Sequence, residues 1–302
     1  MDMNYNFDKM NERIIDSLNK TDLIDIKEKL KKIKSPTLVS GVGGSYVVAK
    51  YLAKVLERKN NTITDAVTSR DFLYKNILNY KNVICCSYSG NNLGVDISFN
   101  NDLNKYLFSR NMKDGIININ YRVDDIEKSF ISLSSTMIPM TIALNYYLDG
   151  NIDIVNEIIN DNIRFNPNDK NIYEIITGYD TIVPSIFLDS TMVESGIAIP
   201  ILHDKYDFCH GRSTLGYNND TNMILFNSKK QLDELFIKEL AKYYKDMIIF
   251  DKKYDDDIIN EYYLTYISMY LCKDIAMKKN KDLSNVDYCS IVKKLYKYKG
   301  EV

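Results

Sequence analysis

Two short segments rich in glycine and serine mark a chain of 302 residues that has only 12 glycines: Gly41-Val42-Gly43-Gly44-Ser45 and Ser87-Tyr88-Ser89-Gly90-Asn91-Asn92. Each follows a short apolar run, residues 37–40 and 83–86, and each precedes a stretch with helical apolar spacing. A strand, a tight turn and a helix in that order leave free backbone N–H groups at the helix start. The hydroxyls of Ser45, Ser87 and Ser89, the amide of Asn92 and the backbone at Gly43 and Gly44 could converge there on one phosphate. Hydrogen bonds to a charged group contribute roughly 1.5–3 kcal/mol each, so such a cradle holds an anion without Lys or Arg. Ser and Asn are also common helix caps and Gly is common in such turns, so either segment alone reads more simply as a cap. The pair is more specific, because both fall at one edge of the expected sheet, two strands apart. Neither is a nucleotide loop: GxxxxGK[ST] is absent, and GVGGSY lacks the third glycine of a dinucleotide fingerprint.

Alternating strands and helices must position these turns. Apolar spacing predicts helices over residues 8–33, 47–56, 72–78, 93–107 and 138–159, and strands over 37–40, 62–67, 83–87 and 115–120. The polar, proline-containing stretch 161–171 marks a boundary. A second series follows, with strands at 181–187, 197–202, 223–227 and 247–250 and helices at 231–244 and 258–278. Short, continuously apolar strands alternating with helices imply parallel sheets covered on both faces, with ligands bound beyond the carboxyl ends of the strands. The reading is an α/β protein of two similar domains, residues 1–165 and 166–302. Asp255-Asp256-Asp257 is read as a helix start and not as a metal cluster. The stripe Tyr262, Tyr263, Tyr266 and Tyr270 is read as core or dimer interface.

Composition narrows the partners. With 39 basic against 41 acidic residues and a net charge of -2, nothing suggests bulk attraction to nucleic acid or to anionic lipid. No apolar stretch approaches the roughly 20 residues that cross a bilayer, and the N-terminus lacks the regions of a signal peptide, so a cytoplasmic protein is expected. The five cysteines, Cys85, Cys86, Cys209, Cys272 and Cys289, form no CxxC pair and no zinc spacing. Reduced thiols are expected, with no metal and no cofactor.

The segments LVSGVGGSYVVAKYLA and ICCSYSGNNLGV together resemble the sugar isomerase (SIS) domain, whose pattern is a G-x-G-x-S turn followed by a S-x-S-G-x-T loop around a sugar phosphate. Ser45, Ser87 and Ser89 match it; Asn92 stands where Thr is usual, and Gly94 where an acidic residue is common. The resemblance implies two tandem three-layer αβα domains with parallel sheets, the first carrying the phosphosugar loops and the second a C-terminal tail. VESGIAIPILHDKYDFCHGR, residues 193–212, is similar to the stretch of the glucosamine-6-phosphate synthase isomerase domain that carries a glutamate and, sixteen positions later, a histidine before glycine. That likeness puts Glu194 and His210 in those roles, with Asp207 at a Glu position and Arg212 in place of Pro. VDYCSIVKKLYKY resembles the family's tail and puts its lysine at Lys294.

The implied chemistry is proton transfer between C1 and C2 of a sugar phosphate: aldose-ketose isomerisation, or deglycation or deamination of an amino-sugar phosphate. A carboxylate raised toward neutrality carries the proton, an imidazole opens the ring, and a lysine stabilises the enediolate or forms an imine. Arg212 is expected to meet an extra acidic group of the ligand, while His203 is read as structural. The chain has no glutaminase domain ahead of Met1, so an enzyme without glutamine-dependent transfer is expected, working as a homodimer with a shared active site. The alternative is a sugar-phosphate sensor that binds without turnover.

Overall fold

In the computed structural model, residues 5–129, 131–161 and 163–286 are described; Cys289 and Lys294 lie outside them. The chain forms two compact units. The first comprises Lys9–Lys128 with Ser134–Asn151, and the second Ser129–Leu133 with Ile152–Ser284 and residues 5–8.

The chain opens with α1 (Tyr5–Lys20) and α2 (Leu23–Lys31). The single helix expected over 8–33 divides because Asp22 caps the second one, its carboxylate accepting from Asp25 N. The first unit's sheet is built from β1 (Thr37–Gly41), α3 (Gly44–Asn60), β2 (Thr64–Thr68), α4 (Ser69–Phe72), β3 (Asn82–Cys86), α5 (Leu93–Phe99), β4 (Asn104–Ser109) and β5 (Ile117–Asn120). All five strands are parallel, in the order β2-β1-β3-β4-β5. The chain runs outward from β1 to β2 and then crosses to β3, so the strand order reverses between β1 and β3. Every residue of β1 and β3 is buried, as central strands of a parallel sheet require. Leu38 and Val83 face a cluster with Phe72 and Tyr80. α6 (Ser134–Tyr147) is apolar around its whole circumference and almost wholly buried. The Glu127 carboxylate accepts from the N–H groups of Ser134 and Ser135 at its start.

The second unit holds α7 (Asp153–Ile159), β6 (Ile172–Thr177), α8 (Ile182–Ser195), β7 (Ile199–Asp204), the single turn α9 (Lys205–Asp207), α10 (Thr214–Asn218), β8 (Thr221–Asn227), α11 (Gln231–Leu240), β9 (Ile248–Asp251) and α12 (Asp257–Lys278). Its four parallel strands run β7-β6-β8-β9, so here the order reverses between β6 and β8. Ile176, Met223 and Leu225 share a face with Phe208 and with Phe236 of α11. Asp256 caps α12 by accepting from Ile258 N and Ile259 N, as expected of the acidic run. Tyr262 and Tyr266 are fully buried.

Four further expectations change. Residues 93–107 hold a helix and a strand, because the Asn101 side chain makes a turn, donating to Ser98 O and accepting from Leu103 N, and the run Tyr106 to Phe108 then pairs with β3. The helix expected over 72–78 ends at its first residue: α4 is Ser69–Phe72, and Asn76 turns the chain beyond it by accepting from Leu78 N. The stretch 138–159 is broken at Asp149 (φ 57°) and Gly150 (φ 97°), and α7 falls in the second unit, where Tyr254 and Lys253 pair with Glu157. The strand expected at 181–187 is the start of α8. Pro184 sits in its first turn, where its missing N–H costs nothing, and β6 lies ten residues earlier. No helix among the described residues is long and apolar enough to cross a membrane.

Candidate functional site

The two glycine-serine turns leave the carboxyl ends of β1 and β3, which pair directly and are not two strands apart as expected, because β2 is placed on the outer side of β1 and the strand order reverses between β1 and β3. Crevices at such points are the usual ligand sites of open parallel sheets. The first turn depends on close backbone approach: a Cβ on Gly41 would collide with the Ser45 carbonyl, and Gly43, before α3, has φ 56°. Gly44 is the first residue of α3. Ser45 follows it, half-buried, with its N–H bonded to Val42 O at 3.1 Å, and its hydroxyl has no hydrogen-bond partner among the described residues.

The second turn is braced by the neighbouring loop. Ser109 Oγ donates to Tyr88 O at 3.3 Å, Asn111 Nδ2 donates to Ser89 O at 2.9 Å, and the Arg110 guanidinium lies 5.2 Å over the Tyr88 ring. Burial pushes the Tyr88 hydroxyl up to about 12. Gly90 has φ 71°, and a Cβ there would stand 2.8 Å from Ser109 Oγ. Within this frame Ser87 Oγ accepts from Gly90 N at 3.1 Å, leaving its own proton to give. Asn92 caps α5, Oδ1 accepting from Val95 N at 3.1 Å, which leaves its amide N–H groups unspent. The Ser89 hydroxyl is likewise uncommitted among the described residues. Beneath the turn, burial pushes the Cys85 thiol up to about 11 and raises that of Cys86 well above its ordinary value, so neither is a nucleophile.

Gly94 has a steric reason. A Cβ there would meet Ser69 Oγ at 2.8 Å and Val42 Cγ2 at 2.9 Å, so the turns after β1, β2 and β3 meet at this one residue. Ser69 is buried, and its hydroxyl has no partner among the described residues. Sequence reasoning passed over Ser69, Ser109, Arg110 and Asn111. The one legible signal was Thr68, whose side chain caps Asp71 N, marking a helix start directly after a strand.

In the second unit Glu194 lies in the last turn of α8. Its Oε1 accepts from Ser190 Oγ at 2.9 Å. The side chain is exposed, yet the surrounding protein removes enough water from the carboxyl to push it above its ordinary value, and the Ser190 hydrogen bond offsets part of that rise. His210 sits in the turn Phe208–Arg212, exposed, beside Gly211 at φ 106°. Arg212 Nε donates to His203 Nδ1 at 3.0 Å. His203 is buried.

Glu194 precedes the amino end of β7, and His210 follows its carboxyl end. Six strand residues span about 20 Å, so one chain holds these two side chains at opposite ends of the strand. Lys294 lies outside the described residues.

No protein-family profile matches the chain, and no curated protein matches it. Solved structures do share its fold. The chain is similar to the C-terminal domain of glucosamine-fructose-6-phosphate aminotransferase from Francisella tularensis (TM-score 0.66, 12% identity, covering 94% of this chain and 97% of that one). It is similar to tagatose-6-phosphate ketose/aldose isomerase from Escherichia coli (TM-score 0.67, 14% identity, 95% and 96% covered). It is also similar to glucosamine-6-phosphate deaminase from Thermotoga maritima (TM-score 0.64, 14% identity, 93% and 98% covered). The fold is therefore the one that phosphosugar isomerases use, as the two serine turns implied.

Proposed function

We propose that the protein is a sugar-phosphate isomerase, or a deglycase or deaminase of an amino-sugar phosphate, that binds the phosphate between the turns after β1 and β3. One observation carries the reading. At that point of the sheet Ser45, Ser87, Ser89 and Asn92 all keep donor hydrogens without a partner among the described residues, and the sequence of the two turns contains no carboxylate. An array of uncharged donors at a strand-order reversal suits a phosphate better than any neutral ligand. The shared fold agrees with it.

In this reading Glu194 takes the C2 proton of the open-chain aldose and returns it to C1, while the O2 hydroxyl proton passes to O1. The double bond moves through a cis-enediol, and nothing is gained or lost overall. With nitrogen in place of O2 the same transfer gives a C2 imine, and with nitrogen on C1 of a ketose the reverse transfer, from C1 to C2, gives a C1 imine; water then cleaves either imine to the carbonyl and the free amine. His210 opens the ring, and Lys294 stabilises the enediolate. The carboxyl's upward shift suits it to this shuttle.

Because β7 stands between Glu194 and His210 in one chain, the reading draws His210 of the complete site from a second copy. The working form is then a homodimer, and light scattering should return twice the 35.1 kDa chain mass.

Proton NMR in D₂O with hexose, hexosamine and fructosamine 6-phosphates tests the chemistry. Loss of a C1 or C2 proton signal, abolished in Glu194→Gln, is the expected result. Ligand-induced shifts without exchange would replace the enzyme by a sensor.

A further inference from the structure

A polar cluster that this chemistry does not use lies inside the second unit. Glu174 of β6 and His203 of β7 are both buried, with relative exposures of 0% and 2%. One oxygen of Glu174 accepts from Thr221 Oγ1 at 2.8 Å and from Tyr244 Oη at 3.4 Å. A Cβ on Gly216 would run into that same oxygen, so the chain passes here as glycine. The other oxygen stands 3.2 Å from His203 Nε2, off the line of its N–H, and neither atom has any hydrogen-bond partner among the described residues. On the far side of the ring, Nδ1 receives Arg212 Nε at 3.0 Å.

These contacts fix a proton. A guanidinium only donates, so the ring nitrogen that meets it carries no hydrogen, and the imidazole proton sits on Nε2, facing the carboxylate. The same ring is packed edge-on by Phe208 at 5.5 Å between centroids. Phe208 and Arg212 are the first and last residues of the turn that carries His210, and the turn is closed by Ser213 N bonding to Phe208 O at 3.2 Å. One buried imidazole therefore grips both ends of that turn, and His210 stands exposed between them.

We propose that His203, set as its Nε2–H tautomer by the Arg212 guanidinium on Nδ1 and turned with Nε2 toward Glu174, is a positioning residue that anchors Arg212 and thereby sets the direction in which His210 is presented. The role given to His210 rests on the reading above; the tautomer and the anchor do not. Arg212 acts here through His203, by its Nε alone.

The sequence contains only two histidines, which makes the test direct. The full chain is labelled with ¹⁵N-histidine, and long-range proton-nitrogen correlation spectra are recorded for the wild type and for His210→Gln, whose single remaining imidazole is His203. The expected pattern is a neutral Nε2–H ring whose Nδ1 carries the shift of a hydrogen-bond acceptor. An Nδ1–H ring, or one bearing both protons, overturns the proposal. Arg212→Met should then move the His203 Nδ1 signal and shift or broaden the His210 signals. It should lower kcat for C1–C2 exchange by about tenfold with KM unchanged, the signature of lost orientation. Arg212→Lys, which can still donate to Nδ1, should restore part of both. His210 signals that stay in place in Arg212→Met overturn the anchor. A wild type that exchanges none of the sugar phosphates removes the isomerase reading and leaves the spectra to decide this proposal alone.

Discussion

The two sheets meet the same architectural problem at their carboxyl ends and answer it differently. In the first unit the reversal between β1 and β3 is lined by Ser45, Ser87, Ser89 and Asn92, neutral groups with hydrogens to spare. In the second, the turns after β6, β7 and β8 bring Asp180, Lys205, Ser228 and Lys230 to the corresponding end. There Lys205 meets Asp233 at 2.5 Å with side-chain exposures of 8% and 1%, and Lys230 meets Asp180 at 2.5 Å. Asp233 also accepts from Ser228 N at 2.7 Å. The second crevice neutralises itself, whereas the first leaves its donors without partners among the described residues. Parallel strands and a reversal of their order create a place for an anion, and the side chains decide whether the protein fills that place itself.

The largest effect should come from opening the self-filled crevice. Asp233→Ala strands a buried ammonium and an unbonded Ser228 N–H. Breaking such a pair costs roughly 3–5 kcal/mol, and the melting temperature should fall by on the order of 10 °C. The paired change Lys205→Met with Asp233→Leu should recover most of that loss, leaving about 1–3 kcal/mol for the Ser228 N–H. Equal melting temperatures for wild type and Asp233→Ala would show that the pair does not hold this end together. Neither variant should alter the affinity for a sugar phosphate if, as proposed, the anion site belongs to the other sheet.

The converse experiment acts on the open crevice. Ser45→Ala and Ser89→Ala remove hydroxyls that bond to nothing among the described residues, so thermal stability should hardly move. Each should cost roughly 1.5–3 kcal/mol of binding to a charged ligand, which is about a 10- to 100-fold rise in the calorimetric Kd. Unchanged affinity in both would end the comparison, because neither crevice would then be an anion site. A smaller change is expected from Gly94→Ala, whose Cβ must press against Ser69 and Val42 and should destabilise the first unit by about 1–3 kcal/mol. Gly94→Asp adds a like charge to the same strain, so the affinity difference between the two variants isolates the charge.

The contrast between the crevices was only half visible in the sequence. Runs such as Val83-Ile84-Cys85-Cys86 followed by Ser-x-Ser-Gly announce a buried strand and its turn, because period and turn chemistry are both local. β4 was hidden, since Asn104-Lys105 opens it with polar residues and only pairing with β3 makes it a strand. α8 was misread because Ile182, Val183, Ile186 and Phe187 look like strand residues, and packing against α12 overrides that preference. Among the site residues, Ser45, Ser87, Ser89 and Asn92 could be named from spacing. The pairing of Arg212 with His203 could not, nor could the crowding at Gly94, because each joins residues that meet only after the chain has turned.

With the second crevice closed, the proposed chemistry places the second unit's contribution elsewhere, at Glu194 beyond the amino end of β7. Its carboxyl is raised first by burial and lowered in part by Ser190. As the base it must be ionised, so kcat/KM should fall with decreasing pH at a point above the ordinary carboxylate range. Removing the hydrogen bond in Ser190→Ala should move that limb further toward neutrality. Stability carries the opposite sign. A group whose pKa is raised on folding contributes stability that is present below its unfolded value and lost as pH rises through its folded value. Ionised Glu194 therefore weighs slightly against the fold at the pH where it works, and Glu194→Gln should melt at the same temperature or slightly higher there while losing exchange altogether. A variant that lost stability and activity together would mark Glu194 as a structural residue, with the proton carried by another group.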